Sequence, residues 1–96
     1  MIAIRETKRF PLGKVLITPP AEAVLQEAGR TLKEFLDRHA SGDWGEVDGD
    51  DWDGNEESLS SGGRLMSVYA VTGTQKVWII TEADRACTTV LLPDDY

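Results

Sequence analysis

The stretch Arg64–Thr81, RLMSVYAVTGTQKVWIIT, decides the fold. Its first half, Arg64–Val71, alternates side chains between two faces, which predicts a β-strand with one face buried. Thr72-Gly-Thr74 supplies the residues of a hairpin turn. Lys76–Thr81 returns as a strand that is apolar on both faces, as expected for a central position in a sheet. The stretch therefore predicts an antiparallel hairpin whose second strand lies inside a sheet.

Two further segments extend this sheet. Thr88–Leu92 is short and apolar, which predicts a third consecutive strand. Lys14–Thr18 predicts another strand, and it stops at Pro19-Pro20 because proline cannot donate to a hydrogen-bonded ladder. We expect these strands to pair as a small antiparallel sheet.

Two helices are predicted between Pro20 and Gly42. The first covers Pro20–Ala28 and ends at Gly29, which suits a left-handed cap. The second begins with the capping box Thr31–Glu34, in which the two side chains satisfy each other's backbone amides. The expected fold class is therefore α+β, a small antiparallel β-sheet (meander) with a helical hairpin packed on one face. The expected core consists of Leu32, Phe35, Leu36, Val68, Ile79, Ile80 and Leu91.

Size and composition limit the class of protein. The chain has 96 residues, 41% of them hydrophobic, and a formal net charge of -7. This length supports one small core, so we expect a single domain over residues 1–96. The longest apolar runs are far too short to span a membrane. Met1–Phe10 carries charges where a signal peptide needs apolar residues, so we expect a cytoplasmic protein without membrane contact.

Residues 43–63 form an acidic, Gly- and Ser-rich segment that we expect to be a loop. Between Asp43 and Glu57 it holds eight acidic residues and no basic one, and like charges at that density favour mobility. Such a loop attracts a basic protein surface and repels nucleic acid and anionic membranes. Its tryptophans suit aromatic anchors. The candidate partner-binding residues are Asp43, Trp44, Asp48, Asp50, Asp51, Trp52 and Asp53.

Two other interpretations of the acidic segment stay open. The carboxylates can simply keep the protein soluble while Trp44 folds onto the helical hairpin. They can also bind a divalent cation, but the register of an EF-hand fails. Counting from Asp48 places Trp52 at a ligand position and Leu59 where the bidentate Glu belongs. We therefore expect no metal and no other cofactor.

A second candidate site precedes the last strand. Asp84 and Arg85 are flanked by Thr81 and Thr88, and an arginine among hydroxyls can bind phosphate. A helix-then-meander chain with Arg, Thr and His at one sheet edge is also similar in architecture to small toxin ribonucleases of the barnase type. The alternative function is therefore a ribonuclease-like or nucleotide-binding domain centred on Arg85, although the negative net charge disfavours an RNA substrate. The structural interpretation is that Asp84 and Arg85 bond to each other or to the loop backbone.

His39 and Cys87 have structural interpretations as well. His39 lies in the last turn of the second helix, where the helix dipole favours a proton. Cys87 is the only cysteine, so no internal disulfide is possible and a small buried residue is expected.

Several segments, taken together, resemble a family of small uncharacterised proteins carried by plasmids, phages and other mobile elements of bacteria. They include Gly42-Asp-Trp-Gly45, Trp78-Ile-Ile-Thr-Glu-Ala-Asp-Arg85 and Thr88-Thr-Val-Leu-Leu-Pro-Asp-Asp-Tyr96. The resemblance covers most of the chain. It implies a mobile-element origin and carries no known reaction.

These observations predict a non-enzymatic mobile-element accessory protein that binds another protein. One form of this function is a counter-defence inhibitor, of the anti-restriction or anti-CRISPR kind, that presents its acidic loop to a nucleic-acid-binding protein. The expected partner is thus a basic protein surface, with no direct contact to nucleic acid. Sheet edges at Arg64–Val71 or Lys14–Thr18 also suit a homodimer.

Overall fold

The computed structural model describes residues 8–96, which fold into an α+β globule with one four-stranded sheet and three α-helices. The predicted strands and the two predicted helices are all present, and a third helix lies in the acidic segment. In chain order the elements are β1 (Lys14–Ile17), α1 (Pro19–Ala28), α2 (Leu32–Ala40), α3 (Gly49–Ser61), β2 (Leu65–Ala70), β3 (Lys76–Thr81) and β4 (Cys87–Leu91), followed by a short 3-10 turn (Pro93–Asp95).

The sheet is mixed, with strand order β1-β4-β3-β2. β2, β3 and β4 pair antiparallel as predicted, with Val68 opposite Trp78 and Ile79 opposite Val90. β1 pairs parallel with β4, so the prediction of an entirely antiparallel sheet is wrong for this strand. β1 and β4 can run in the same direction because a long crossover connects them, as a parallel pair of strands requires.

α1 and α2 pack on one face of the sheet. Both caps predicted from the sequence are present, since Gly29 is left-handed with φ 66° and Thr31 and Glu34 form the capping box. Phe35 is completely buried at the centre of this layer beside Tyr69. Of the predicted core, Phe35, Ile79, Ile80 and Leu91 are buried, while Leu32, Leu36 and Val68 are only partly buried.

The acidic segment is where the fold departs most from expectation. Residues 43–63 are predicted to be a loop, but Gly49–Ser61 forms helix α3. Favourable helix ends offset the repulsion among the carboxylates, because Asp48 caps the N-terminus and Gly62 closes the C-terminus with φ 83°. Beneath α3 lies a second, smaller apolar cluster made by Phe10, Trp44 and Leu65.

Candidate functional site

α3 is stable as a helix because its charges are arranged along its dipole. The Asp48 carboxylate accepts the backbone N–H of Asp51 at 2.8 Å, and Asp50 and Asp51 lie in the first turn, where negative charge is favoured. At the other end, the Arg85 guanidinium donates to the Ser58 carbonyl at 3.0 Å. Acids at the start and a cation at the end therefore both stabilise the helix.

One buried amide attaches α3 to the sheet. The Asn55 side chain donates to the Met66 carbonyl at 2.7 Å and accepts the Met66 N–H at 3.1 Å. These two bonds satisfy backbone groups at the outer edge of β2 that otherwise face solvent. Asn55 therefore fixes the position of α3 along β2.

Glu56 makes a second attachment, to the chain before β1. Its carboxylate accepts two bonds from the Arg9 guanidinium, at 2.9 and 3.0 Å, and one from the Trp44 indole at 2.9 Å. The Arg9 guanidinium, followed by the Trp44 indole, holds the pKa of Glu56 below its ordinary value. Glu56 thus serves the fold, because its carboxylate is occupied by bonds to Arg9 and Trp44.

Negative charge is concentrated on α3 and its N-cap. Five carboxylates of α3 and its N-cap are exposed, and within residues 8–96 none of them forms a salt bridge. Three follow one another at helical spacing on the side opposite Asn55; we call Asp50, Asp53 and Glu57 the outer stripe. Asp48 and Asp51 lie at the N-terminal end. Trp52 is 36% exposed beside them.

A shallow groove runs between α3 and β2, with a volume of about 290 Å³. Val47, Gly54 and Met66 give it part of its lining, and the charged residues Asp51 and Arg64 line it as well. Gly54 is in the middle of α3, and a Cβ atom at this position would meet open space. The fold therefore does not require glycine here, although glycine weakens a helix.

Two predicted binding residues are occupied by contacts within the fold. Trp44 is completely buried and stacks with Phe10 at 6.0 Å between ring centroids. Asp43 forms a salt bridge with Arg38 at 2.7 Å, and this pairing, with a bond from the Gly45 N–H, lowers its pKa. The candidate surface consequently consists of Asp48, Asp50, Asp51, Trp52, Asp53 and Glu57, of which Glu57 is absent from the sequence-based set.

Arg85 lies under the C-terminus of α3 rather than in an open anion site. Its guanidinium donates to the backbone carbonyls of Ser58, Gly63 and Glu82, and its backbone is left-handed with φ 60°. Asp84 accepts the backbone N–H of Ala86 at 2.9 Å. Asp84 and Arg85 therefore bond to the loop backbone, which is one of the two structural interpretations of this pair made from the sequence.

The threonines of that candidate site belong to a buried polar network around His39. His39 is completely buried, with Nδ1 2.5 Å from the Ser67 hydroxyl and Nε2 2.9 Å from the Thr81 hydroxyl. Thr81 lies 2.7 Å from Thr88, whose hydroxyl donates to the Leu12 carbonyl at 2.7 Å. The network therefore links α2 to β2, β3, β4 and the segment before β1.

The order of donors in this network defines the tautomer of His39. Because Thr88 donates to a carbonyl, it accepts from Thr81, and Thr81 in turn accepts from Nε2–H. Ser67 then donates to an unprotonated Nδ1. Burial, with a smaller contribution from the Arg85 charge, lowers the pKa of His39 to about 3. The expectation of a proton on His39 is therefore wrong, because the loss of solvent outweighs the helix dipole.

A serine hydroxyl on a histidine nitrogen also has the form of a nucleophile and its base. Here Ser67 and His39 are both completely buried, so no substrate reaches them. The arrangement acts on the fold, where a fully bonded polar network specifies one packing of α2 on the sheet.

Residues 8–96 contain no group of three or more His, Cys, Asp or Glu side chains arranged to hold a metal ion. In the same part of the chain, no helix is long and apolar enough to cross a membrane.

Comparison with known proteins gives no relative. No protein-family model, no curated protein and no solved structure matches the chain. The resemblance to mobile-element proteins therefore stays a prediction.

Proposed function

We propose that this protein acts by binding a positively charged surface of another protein through the outer side of α3, without catalysing a reaction. The observation that supports the proposal best is the set of exposed carboxylates that form no salt bridge within residues 8–96, held on a helix that Asn55 and Glu56 fasten to the rest of the fold. A rigid charged surface loses little conformational entropy on binding, in contrast to a mobile loop.

Charge and aromatic surface have different roles in such a site. The carboxylates raise the association rate with a basic partner over a distance of roughly one Debye length, about 8 Å at physiological salt. Trp52, at 36% exposure, offers apolar area that a partner can bury, and tryptophan is common among residues that dominate binding energy. The groove beside Gly54 gives this surface a concave edge.

One concrete form of this function is inhibition of a nucleic-acid-binding protein. Such a partner has a basic surface shaped for phosphates, and α3 would occupy it in competition with nucleic acid. A counter-defence role, of the anti-restriction or anti-CRISPR kind, is an example. The inhibitor then needs no contact with nucleic acid itself.

The proposal is tested with two variants of equal net charge. The first replaces the outer stripe by amides (Asp50→Asn, Asp53→Asn, Glu57→Gln). The control changes three exposed acids elsewhere (Glu22→Gln, Glu27→Gln, Asp94→Asn). Each protein is immobilised on a resin and incubated with a bacterial extract at low and at high salt. The extract proteins that the resin retains are then identified.

We expect the parent and the control to retain the same basic protein at low salt and the stripe variant to lose it. With the purified partner, the stripe variant should associate more slowly and with weaker salt dependence. Equal retention by all three proteins would contradict the proposal and leave α3 as a solubility feature. If the partner binds DNA or RNA, added nucleic acid should compete with the parent.

A further inference from the structure

β1 leaves one edge of the sheet open. Lys14 and Thr18 donate their backbone N–H groups to carbonyls on the β4 side, each at 3.0 Å. Because backbone groups alternate in direction along a strand, Val15 and Ile17 direct theirs away from β4. Within residues 8–96, no strand lies on that side. The open edge therefore presents two N–H donors and two carbonyl acceptors.

The opposite edge of the sheet, on β2, is closed. Asn55 bonds both backbone groups of Met66. The Val68 N–H donates to the Trp44 carbonyl at 3.1 Å, and the Glu46 N–H donates to the Val68 carbonyl at 2.7 Å. An incoming strand would have to displace α3 and the chain before it. Of the two edges predicted to suit a dimer, only β1 is accessible.

The side chains of β1 after Lys14 are apolar and partly exposed. Val15 and Leu16 are 37% and 43% exposed. The strand has no proline, no bulge and no charge between Lys14 and Thr18, although such features normally prevent edge pairing. The edge is thus both open and apolar.

We propose that β1 pairs antiparallel with β1 of a second copy of this chain across a two-fold axis. The register that satisfies the open groups places Val15 opposite Ile17 of the second copy. Each such pair exchanges two backbone hydrogen bonds, and the symmetry creates two pairs. Leu16 then lies opposite Leu16 of the second copy, in the closely spaced position where side chains touch.

Charge favours a second copy as the occupant of this edge. α3 lies at the β2 edge, so the two acidic helices are separated by the whole width of both sheets. At a strand spacing of about 4.8 Å this is roughly 35 Å, several Debye lengths. The same register places Lys14 opposite Thr18 of the second copy. Thr18 donates to Asp95 at 2.8 Å, which brings a carboxylate near the Lys14 ammonium.

The first test removes one N–H donor from the open edge of β1 and leaves the hydrogen bonds between β1 and β4 intact. Val15→Pro deletes an N–H group that faces away from β4, and proline is tolerated at that position of an edge strand. The mass of parent and variant is measured by analytical ultracentrifugation over a range of concentrations. We expect a dimeric parent and about 10- to 100-fold weaker association in the variant, from the loss of one bond per copy. Circular dichroism checks that the variant is folded.

The second test locates the axis in a protein with an intact ladder. In a Cys87→Ser background, Leu16→Cys places two thiols opposite each other across the axis, at a separation that a disulfide spans. Ala70→Cys, exposed at the far end of the sheet, is the control. Mild oxidation should link Leu16→Cys into a dimer much faster than Ala70→Cys.

A parent that stays monomeric at high concentration would overturn the proposal, as would equal cross-linking of the two cysteine variants. Dimerisation should also persist at high salt, because it depends on backbone bonds and apolar contact. Binding of a basic partner through α3 should weaken under the same condition, so the two associations are measured separately.

Discussion

The buried network around His39 and the outer stripe of α3 are both polar, but they differ in how their groups are satisfied. Every polar side-chain atom buried in residues 8–96 has a hydrogen-bond partner. The carboxylates of Asp50, Asp53 and Glu57 are exposed and have no cation beside them among the described residues. Chemical type alone therefore does not distinguish a group that the fold uses from one that is available to a partner.

Within α3, the residues that attach the helix to the fold differ from the residues that it exposes to solvent. Asn55 and Glu56 face the body of the protein and make the bonds that position α3. Outward residues of the same helix make none of these bonds. Substitutions on the inner side should act on stability, and those on the outer side should act on binding.

The largest expected effect contrasts two tryptophans of the acidic segment. Trp44 is completely buried and Trp52 is 36% exposed. Trp44→Ala should lower the free energy of unfolding by about 3–5 kcal/mol, because it empties the cluster beneath α3. Trp52→Ala should cost less, about 1–2 kcal/mol, because only part of its side chain is buried. Urea denaturation measures both, and equal losses would contradict the difference in burial between the two tryptophans.

The next effect is a loss of stability in mild acid caused by His39. Its pKa is about 3 in the folded protein and about 6.5 when unfolded. The unfolded state therefore takes up the proton first, and stability present above about pH 6.5 is lost as the pH falls through the window down to about 3. Between pH 7 and pH 5 the loss should be about 2 kcal/mol.

His39→Gln provides the control, because glutamine does not titrate. This variant should be less stable than the parent at neutral pH, since one network bond is lost, but its stability should vary little between pH 7 and pH 5. An equal pH dependence in parent and variant would show that another group is responsible. Carboxylates with lowered pKa, such as Asp43 and Glu56, act mainly at lower pH.

A smaller effect is expected at Arg85. Arg85→Ala removes the bonds to the carbonyls of Ser58 and Gly63 at the end of α3, which should cost about 1–2 kcal/mol. Amide hydrogen exchange should accelerate in the last turn of α3 and much less in β3. RNA cleavage by the parent that survives in the stripe variant and disappears in Arg85→Ala would instead support the alternative function centred on this residue.

The parts of the fold that the sequence predicts have local causes. Alternation in Arg64–Val71 predicts β2, and the capping box Thr31–Glu34 predicts the start of α2; both signals lie within a few residues of the element they specify. The parallel position of β1 has no such signal, because it depends on contact between segments more than seventy residues apart. The network around His39 likewise requires the sheet register and the packing of α2.

α3 shows a different reason for failure, since its local signals conflict. Eight like charges indicate a mobile segment, whereas Asp48 with Asp51 three residues later, and Gly62 at the end, are a start and a stop signal for a helix. The tertiary attachments through Asn55 and Glu56 favour the helix. The acidic surface itself is evident from composition, but which of its residues face outward depends on that helix.

The smallest expected effect tests the groove, and it is a gain in stability. Gly54 lies inside α3, and a Cβ atom there meets open space, so Gly54→Ala should stabilise the protein by about 0.5–1 kcal/mol. That corresponds to a melting temperature higher by roughly 2–8 °C. Gly49→Ala, also in open space but outside the groove lining, is the control. If a partner enters the groove, Gly54→Ala should melt later yet bind more weakly, while Gly49→Ala binds like the parent. Unchanged binding in both variants would restrict the interface to the outer stripe and Trp52.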